Sequence, residues 1–152
     1  MMNTPEIRNK KAFHDYEIID SLEAGIVLTG PEVKSVREGR VSLRDTHVSF
    51  ESGQPELIGM QVSAYKNAGY REQHPIRPRR LLMHKRELKK WARRAFEKGF
   101  TVVPLKVYFN DRGYAKVEIA LARGKREYDK RKAIAEREVK RDLARAKKEA
   151  NR

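Results

Sequence analysis

From residue 16 to 28 the chain reads YEIIDSLEAGIVL, with Ile18, Leu22, Ala24, Ile26 and Leu28 on one parity. A period of two marks a strand with one buried face, because successive side chains of an extended chain point to opposite sides. Gly25 marks a bend in it. The next segment, TGPEVKSVREGR, changes period. Val33 and Val36 lie three apart, Pro31 suits the first helical position after a Thr-Gly entry, and Gly39 supplies a C-terminal stop. One short helix is predicted there. VSLRDTHVSFESG and PELIGMQVSAY return to a strand pattern with Gly53 in the turn between them, which predicts a hairpin.

Residues 66–80, KNAGYREQHPIRPRR, combine Gly69, Pro75, Pro78 and four arginines, the composition of an exposed, mobile loop within reach of phosphates. HKRELKKWARRAFEKG then places Leu88, Trp91, Ala92, Ala95 and Phe96 at helical spacing and ends at Gly99. The opposite face of that helix carries Lys89, Lys90, Arg93 and Arg94, which on composition alone is a solvated face. FTVVPLKVYF, the turn NDRG and YAKVEIALA predict a second hairpin, with Leu105, Val107 and Phe109 packing against Val117, Ile119 and Leu121. Five or six antiparallel strands with short helical insertions give a mainly β fold. A small Greek-key or OB-like antiparallel β-barrel suits them better than a sandwich or a doubly wound sheet.

The charge is not spread evenly. Of the +14 net charge, half lies in residues 123–152, which hold thirteen Lys/Arg, six Asp/Glu and no Pro. The chain therefore divides into a barrel domain, 1–122, and a basic C-terminal tail, 123–152. Ile134, Leu143, Ala146 and Ala150 keep rough helical spacing in the tail, and Glu136 with Lys140 makes a favourable i,i+4 pair. So thin an apolar stripe leaves an isolated helix marginal, and the tail is expected to be disordered when free. Strong basicity draws the protein to nucleic acid or an anionic membrane, since phosphate neutralisation releases condensed counterions. With no Cys, disulfides, zinc thiolates and thiol catalysis are excluded. The first residues hold no apolar signal core, and no run approaches the ~18 apolar residues of a membrane span. A cytoplasmic monomer is expected, without membrane attachment.

Catalytic signals are weak. The histidines, His14, His47, His74 and His84, form no ligand spacing, and no phosphate-binding loop, dinucleotide turn or nucleophile elbow occurs. Asp15, Glu17, Asp20, Glu23 and Glu32 fall in no recognisable divalent-metal spacing. His14 and Asp15, if extended, point to opposite faces and cannot cooperate as acid and base. No catalytic residue, metal site or cofactor is predicted. Aromatic and basic residues do interleave, at Phe13, His14 and Tyr16 after Lys10 and Lys11, at Tyr65, Lys66 and Tyr70, and at Tyr128 beside Lys130 and Arg131. Such pairs stack on bases while gripping phosphates. Tyr16 fits the core better than a stacking platform, whereas Tyr128 has no core to join.

Four blocks in order, NKKAFHDYEI from Asn9, EAGIVLTGPEVKSVREGR from Glu23, RPRRLLMHKREL from Arg77 and LARGKREYDKR from Leu121, resemble the SsrA-binding protein family. The resemblance covers most of the chain. It implies an OB-like barrel that holds the tRNA-like domain of transfer-messenger RNA (tmRNA), a tail that enters the ribosome, and no catalysis. It carries the tmRNA-facing surface onto His14, Glu23, Leu82 and Lys116. The GKxxYDKR segment, which engages the decoding region of the small subunit and its rRNA, carries over to Gly124, Tyr128, Asp129, Lys130 and Arg131. The rest of the tail would lie in an empty mRNA channel and become helical there, so that trans-translation starts only on a stalled ribosome. Pro31, Met83, Ala135 and Val139 depart from the family's usual residues. The alternative is a general ribosomal or tRNA-binding OB module without tmRNA preference.

Overall fold

A computed structural model describes residues 6–64 and 74–150, with the side chains of 126–136 and 149–150 outside the described set. In chain order the elements are β1 (Ile7–Arg8), α1 (Lys10–Asp15), β2 (Tyr16–Ile26), α2 (Gly30–Arg37), β3 (Val41–Ser42), β4 (His47–Ser49) and β5 (Glu56–Ile58). They continue with β6 (Gln61–Val62), β7 (Arg79–Leu82), α3 (Lys85–Ala95), β8 (Phe100–Phe109), β9 (Ala115–Gly124) and α4 (Lys125–Ala150). The fold is mainly β, and every strand pairing is antiparallel.

Seven strands form one sheet in the order β1-β8-β9-β2-β7-β5-β4, while β3 and β6 pair separately. The sheet curls until β4 lies against β8, yet no backbone ladder joins the two edges among the described residues. The expected barrel is thus not closed. Its short edge explains why: Asp45 (φ 56°) and Gly59 (φ 93°) adopt left-handed conformations that cut β4 and β5 to three residues each. The Gly53 turn between them is as predicted.

Two bulges decide which residues face the core. β2 shifts register between Ile18 and Asp20, and β8 between Pro104 and Lys106. An extra residue reverses parity beyond it. Ala24, Ile26, Val102, Val107, Val117, Ile119 and Leu121 consequently fill the main core with Leu57, Met60, Leu81 and Trp91. Ile18 and Leu105, expected on that face, point the other way and join Tyr16, Ala12, Val103, Ala120 and Ala122 in a second cluster. Helix α1 covers this second cluster. Asn9 pins it there: its backbone N–H donates to Leu105 O (2.8 Å), its side-chain amide donates to Pro104 O (2.9 Å), and its Oδ1 caps Ala12 N–H.

Helix α2 has the predicted stop signals, with a capping box in which Thr29 and Glu32 satisfy each other's backbone N–H groups. Helix α3 buries Trp91 but leaves Phe96 70% exposed, against the expectation that Phe96 shares the apolar face. Residues 66–73 of the predicted loop lie outside the described residues. Of the remainder, His74, Pro75, Ile76, Pro78 and Arg80 are exposed as expected, but Arg79 is wholly buried and opens β7. Its guanidinium donates to Met60 O (2.6 Å), Arg77 O (3.0 Å) and Pro75 O (3.1 Å), and pairs with Glu32, which Arg77 also contacts. Those carbonyls satisfy a charge that could not otherwise be buried.

Of the tail, expected to be disordered when free, residues 125–150 form a single helix here. No Pro or Gly interrupts residues 125–150, and Ala, Lys, Arg and Glu dominate them. Its residues 137–148 are all exposed, Val139 and Leu143 included.

Candidate nucleic-acid interface

The register of four strands assembles one outer surface. Tyr108 of β8 lies opposite Lys116 of β9, Lys116 opposite Gly25 of β2, and Gly25 opposite Leu82 of β7. Directly paired residues share a face, so these four make one cross-strand row. The next row on that face is Arg8, Lys106, Glu118 and Glu23. Glu23, Leu82 and Lys116, distant in sequence, therefore sit in two adjacent rows. Gly25 between them leaves the Leu82 side chain its room, since a Cβ there would lie a tight 3.2 Å from the Leu82 Cβ. Leu82 itself is 56% exposed and lies outside the core, next to the buried Leu81.

Glu23 is not a free carboxylate. It accepts a short hydrogen bond from the Tyr108 hydroxyl, which the sequence offered no means of pairing with it. Burial and the Glu23, Glu118 and Glu6 carboxylates push the Tyr108 phenol well above its ordinary pKa, so it remains a donor at any physiological pH. Lys106 stands 3.7 Å from Glu6 and 3.8 Å from Glu118, and its ammonium lies 5.1 Å from the centre of the Tyr108 ring. Lys116, by contrast, has no ion-pair partner among the described residues, which leaves its charge available to a phosphate. Among the described residues the surface offers Glu23 as an oriented acceptor, Lys116 and Arg8 as cations without an ion-pair partner, and Leu82 as an apolar contact.

Helix α1 lies on the same side, because Ala12 packs on Ala120 and Ala122, residues that alternate with the core-facing positions of β9. His14 is on this helix, not on a strand, with its side chain 89% exposed. Its Nδ1 lies 3.0 Å from Asp15 Oδ1, so helical geometry brings together two groups that an extended chain would have separated. Phe13 beside it is half exposed, and Tyr16 is packed in the second cluster as expected. Gly124 ends β9 opposite Tyr16, and Tyr128, Asp129, Lys130 and Arg131 fall in the first turns of α4 with side chains outside the described set. Tyr65, Lys66 and Tyr70 also lie outside the described residues. Lys125 Nζ donates to Phe13 O (3.2 Å), tying the start of α4 to the end of α1.

Residues 6–149 match the family model described as SmpB protein. The chain belongs to the SmpB family. It is 51% identical over 142 residues to the SsrA-binding protein of Symbiobacterium thermophilum, covering 93% of this chain and 90% of that protein. It is also 51% identical over 138 residues to the SsrA-binding protein of Moorella thermoacetica, covering 91% and 89%. A solved structure described as "tmRNA-SmpB: a journey to the center of the bacterial ribosome" matches with a TM-score of 0.68 at 47% identity, over 80% of this chain and 85% of that one.

In this SmpB-family chain the register puts Glu23, Leu82 and Lys116 on one outer face of the sheet. Tyr108, Lys106, Arg8 and Glu118 complete the surface, and only pairing across β8, β9 and β2 reveals them. Among the described residues no group of three or more His, Asp or Glu is placed to hold a metal, and no helix is long and apolar enough to cross a membrane.

Proposed function

We propose that the protein is an RNA-binding adaptor that holds the tRNA-like domain of tmRNA on its outer sheet face and delivers it to stalled ribosomes for trans-translation. The observation that carries this reading is the row Tyr108, Lys116, Gly25 and Leu82 with Glu23 beside it. Family membership and the tmRNA-SmpB neighbour support it. Leu82 offers an apolar contact to a base, Lys116 meets a phosphate, and Glu23, held by Tyr108, accepts from a base amino group. His14 extends the surface from α1. The curled sheet acts as an OB-like domain, residues 1–122, and the tail, 123–152, acts separately.

Gly124, Tyr128, Asp129, Lys130 and Arg131 engage the decoding region, and the remaining tail occupies an empty mRNA channel. An mRNA already in the channel excludes the tail by sterics and charge; an empty channel offers rRNA phosphates along a basic helix. The exposed Val139 and Leu143 fit a helix that is marginal alone and is held by its partner. The protein performs no catalysis and works in the cytoplasm. The test is binding of the full chain and of residues 1–128 to the tRNA-like domain against excess bulk tRNA at fixed, near-physiological salt. Binding by both that resists competition supports the reading. Loss to bulk tRNA would make this a general tRNA-binding or ribosomal module, whose affinity follows charge alone.

A further inference from the structure

Helix α3 lies on the other side of the sheet from α1. Its Trp91 enters the main core with Val102 and Leu121, whereas α1 packs on Val103 and Ala120, the alternate residues of the same two strands. A ligand covering the outer face therefore leaves α3 free. Seven of the 22 Lys/Arg in residues 1–122 fall between 85 and 98, against two acids, Glu87 and Glu97. Arg94 is engaged, its Nη1 lying 2.6 Å from Asp20 Oδ2. Arg86, Lys89 and Arg93 are exposed and have no ion-pair partner among the described residues.

A solvated charged face explains those cations but not what ends them. Lys89, Arg93 and Phe96 follow at i, i+4 and i+7 on one edge of the helix, and Phe96 keeps αR geometry (φ −83°, ψ −9°) as the cap residue. It is the most exposed large apolar side chain among the described residues. Exposure of an aromatic ring next to a row of unpaired cations is the arrangement that grips an unstacked nucleotide, with charge on the backbone and the ring against the base.

We propose that Arg86, Lys89, Arg93 and Phe96 of α3 form a second RNA surface, which takes a segment with unpaired bases while the outer face holds the tRNA-like domain. The adaptor reading supplies the RNA for the outer face, but the α3 surface is testable without it.

The test uses the full chain with two probes at fixed salt, a purine-rich single-stranded RNA decamer and a blunt RNA duplex of equal length. Phe96→Ala is expected to weaken decamer binding at least fivefold and duplex binding less than twofold, and Phe96→Tyr to restore it. The triple variant Arg86→Gln, Lys89→Gln, Arg93→Gln should weaken both probes and lower the salt slope for the decamer by about 2. Circular dichroism and thermal melting check that each variant is folded, which exposure of all four side chains favours. Decamer binding unchanged in both Phe96→Ala and the triple variant overturns the proposal. So does a loss confined to intact ribosomes with no change on either RNA, which would assign α3 to a protein partner. Failure of the tRNA-like domain to bind the wild-type chain would sink the adaptor reading and leave the decamer result standing.

Discussion

Tyr108 of β8 donates its hydroxyl to the Glu23 carboxylate of β2, reaching across β9. The bond fixes a carboxylate on a surface where phosphates are expected, and it directs the acceptor oxygens instead of leaving them to repel. Tyr108→Phe removes the donor while keeping the ring beneath Lys106. A charge-assisted hydrogen bond contributes about 1.5–3 kcal/mol when buried and less when solvated. Affinity for the tRNA-like domain should fall about three- to tenfold with little change in thermal midpoint. Equal affinity of Tyr108→Phe and wild type in a direct titration would show that Glu23 needs no orientation.

The same pair sets a behaviour in alkali. Tyr108 has its pKa raised in the fold by burial and by the Glu23, Glu118 and Glu6 carboxylates. A raised folded value means that the stabilisation is complete below the unfolded value near 10 and is lost as pH climbs above it. Between pH 9 and 11 the wild type should lose stability more steeply than Tyr108→Phe in urea melts. Parallel curves would remove the coupling.

In acid the relevant group is Glu32. Burial works to raise its pKa, but hydrogen bonds from Arg77, the Thr29 N–H and Arg79 outweigh that and hold it below the ordinary carboxylate range. Its stabilisation is present above the unfolded value near 4.3 and disappears as pH falls through the lower folded one. Glu32→Gln should flatten the acid limb of the stability curve. It should also lower stability at pH 7 by roughly 3–5 kcal/mol, because the Arg79 guanidinium stays buried without its counter-charge. Chemical denaturation at pH 3 to 7 measures both.

Glu32 and Arg79 also show where sequence reasoning stops. Strands β2, β8 and β9, helices α2 and α3 and the Gly53 turn follow from period and punctuation, which are local. Four arginines with Pro75 and Pro78 predict an exposed loop at Arg79; the Glu32 carboxylate and the carbonyls of Pro75, Arg77 and Met60, converging on one guanidinium, make its burial possible. Ile18 and Leu105 depart from their predicted face for a related reason, since a bulge is a property of a strand pair and leaves no mark in either strand alone. At the interface, Glu23, Leu82 and Lys116 came from resemblance to a family, not from chemistry visible in the chain. Register then gave them a shared surface and added Tyr108.

Two glycines should respond oppositely to alanine. At Gly59, with φ 93°, an added Cβ would lie 2.7 Å from the Asp45 carbonyl oxygen, so backbone must move. Gly59→Ala is expected to cost about 1–3 kcal/mol. Gly124 has no positive φ, and a Cβ there meets nothing within 4 Å, so Gly124→Ala should melt within about 0.5 kcal/mol of wild type. The fold does not require a glycine at 124. Loss of peptide tagging by this well-folded variant would place the requirement in the ribosomal complex; full tagging would dismiss Gly124 as a functional position.

Removal of residues 129–152 separates the two roles most directly. Residues 137–148 are exposed, and α4 packs chiefly against the β9 end from which it emerges. The truncated chain should therefore melt within about 1 kcal/mol of the full one. Lys125, with its contact to Phe13 O, remains. Binding to the tRNA-like domain should stay within about threefold, because the outer-face rows are intact and only the long-range attraction of the tail is lost. Ordering the tail on the ribosome costs roughly 1–2 kcal/mol per backbone residue that is not already helical, and only many phosphate contacts offset that. Without them an empty channel can no longer be told from a filled one, and tagging in a reconstituted stalled-ribosome assay should be abolished. Tagging that survives the truncation would show that the tail does not read the channel.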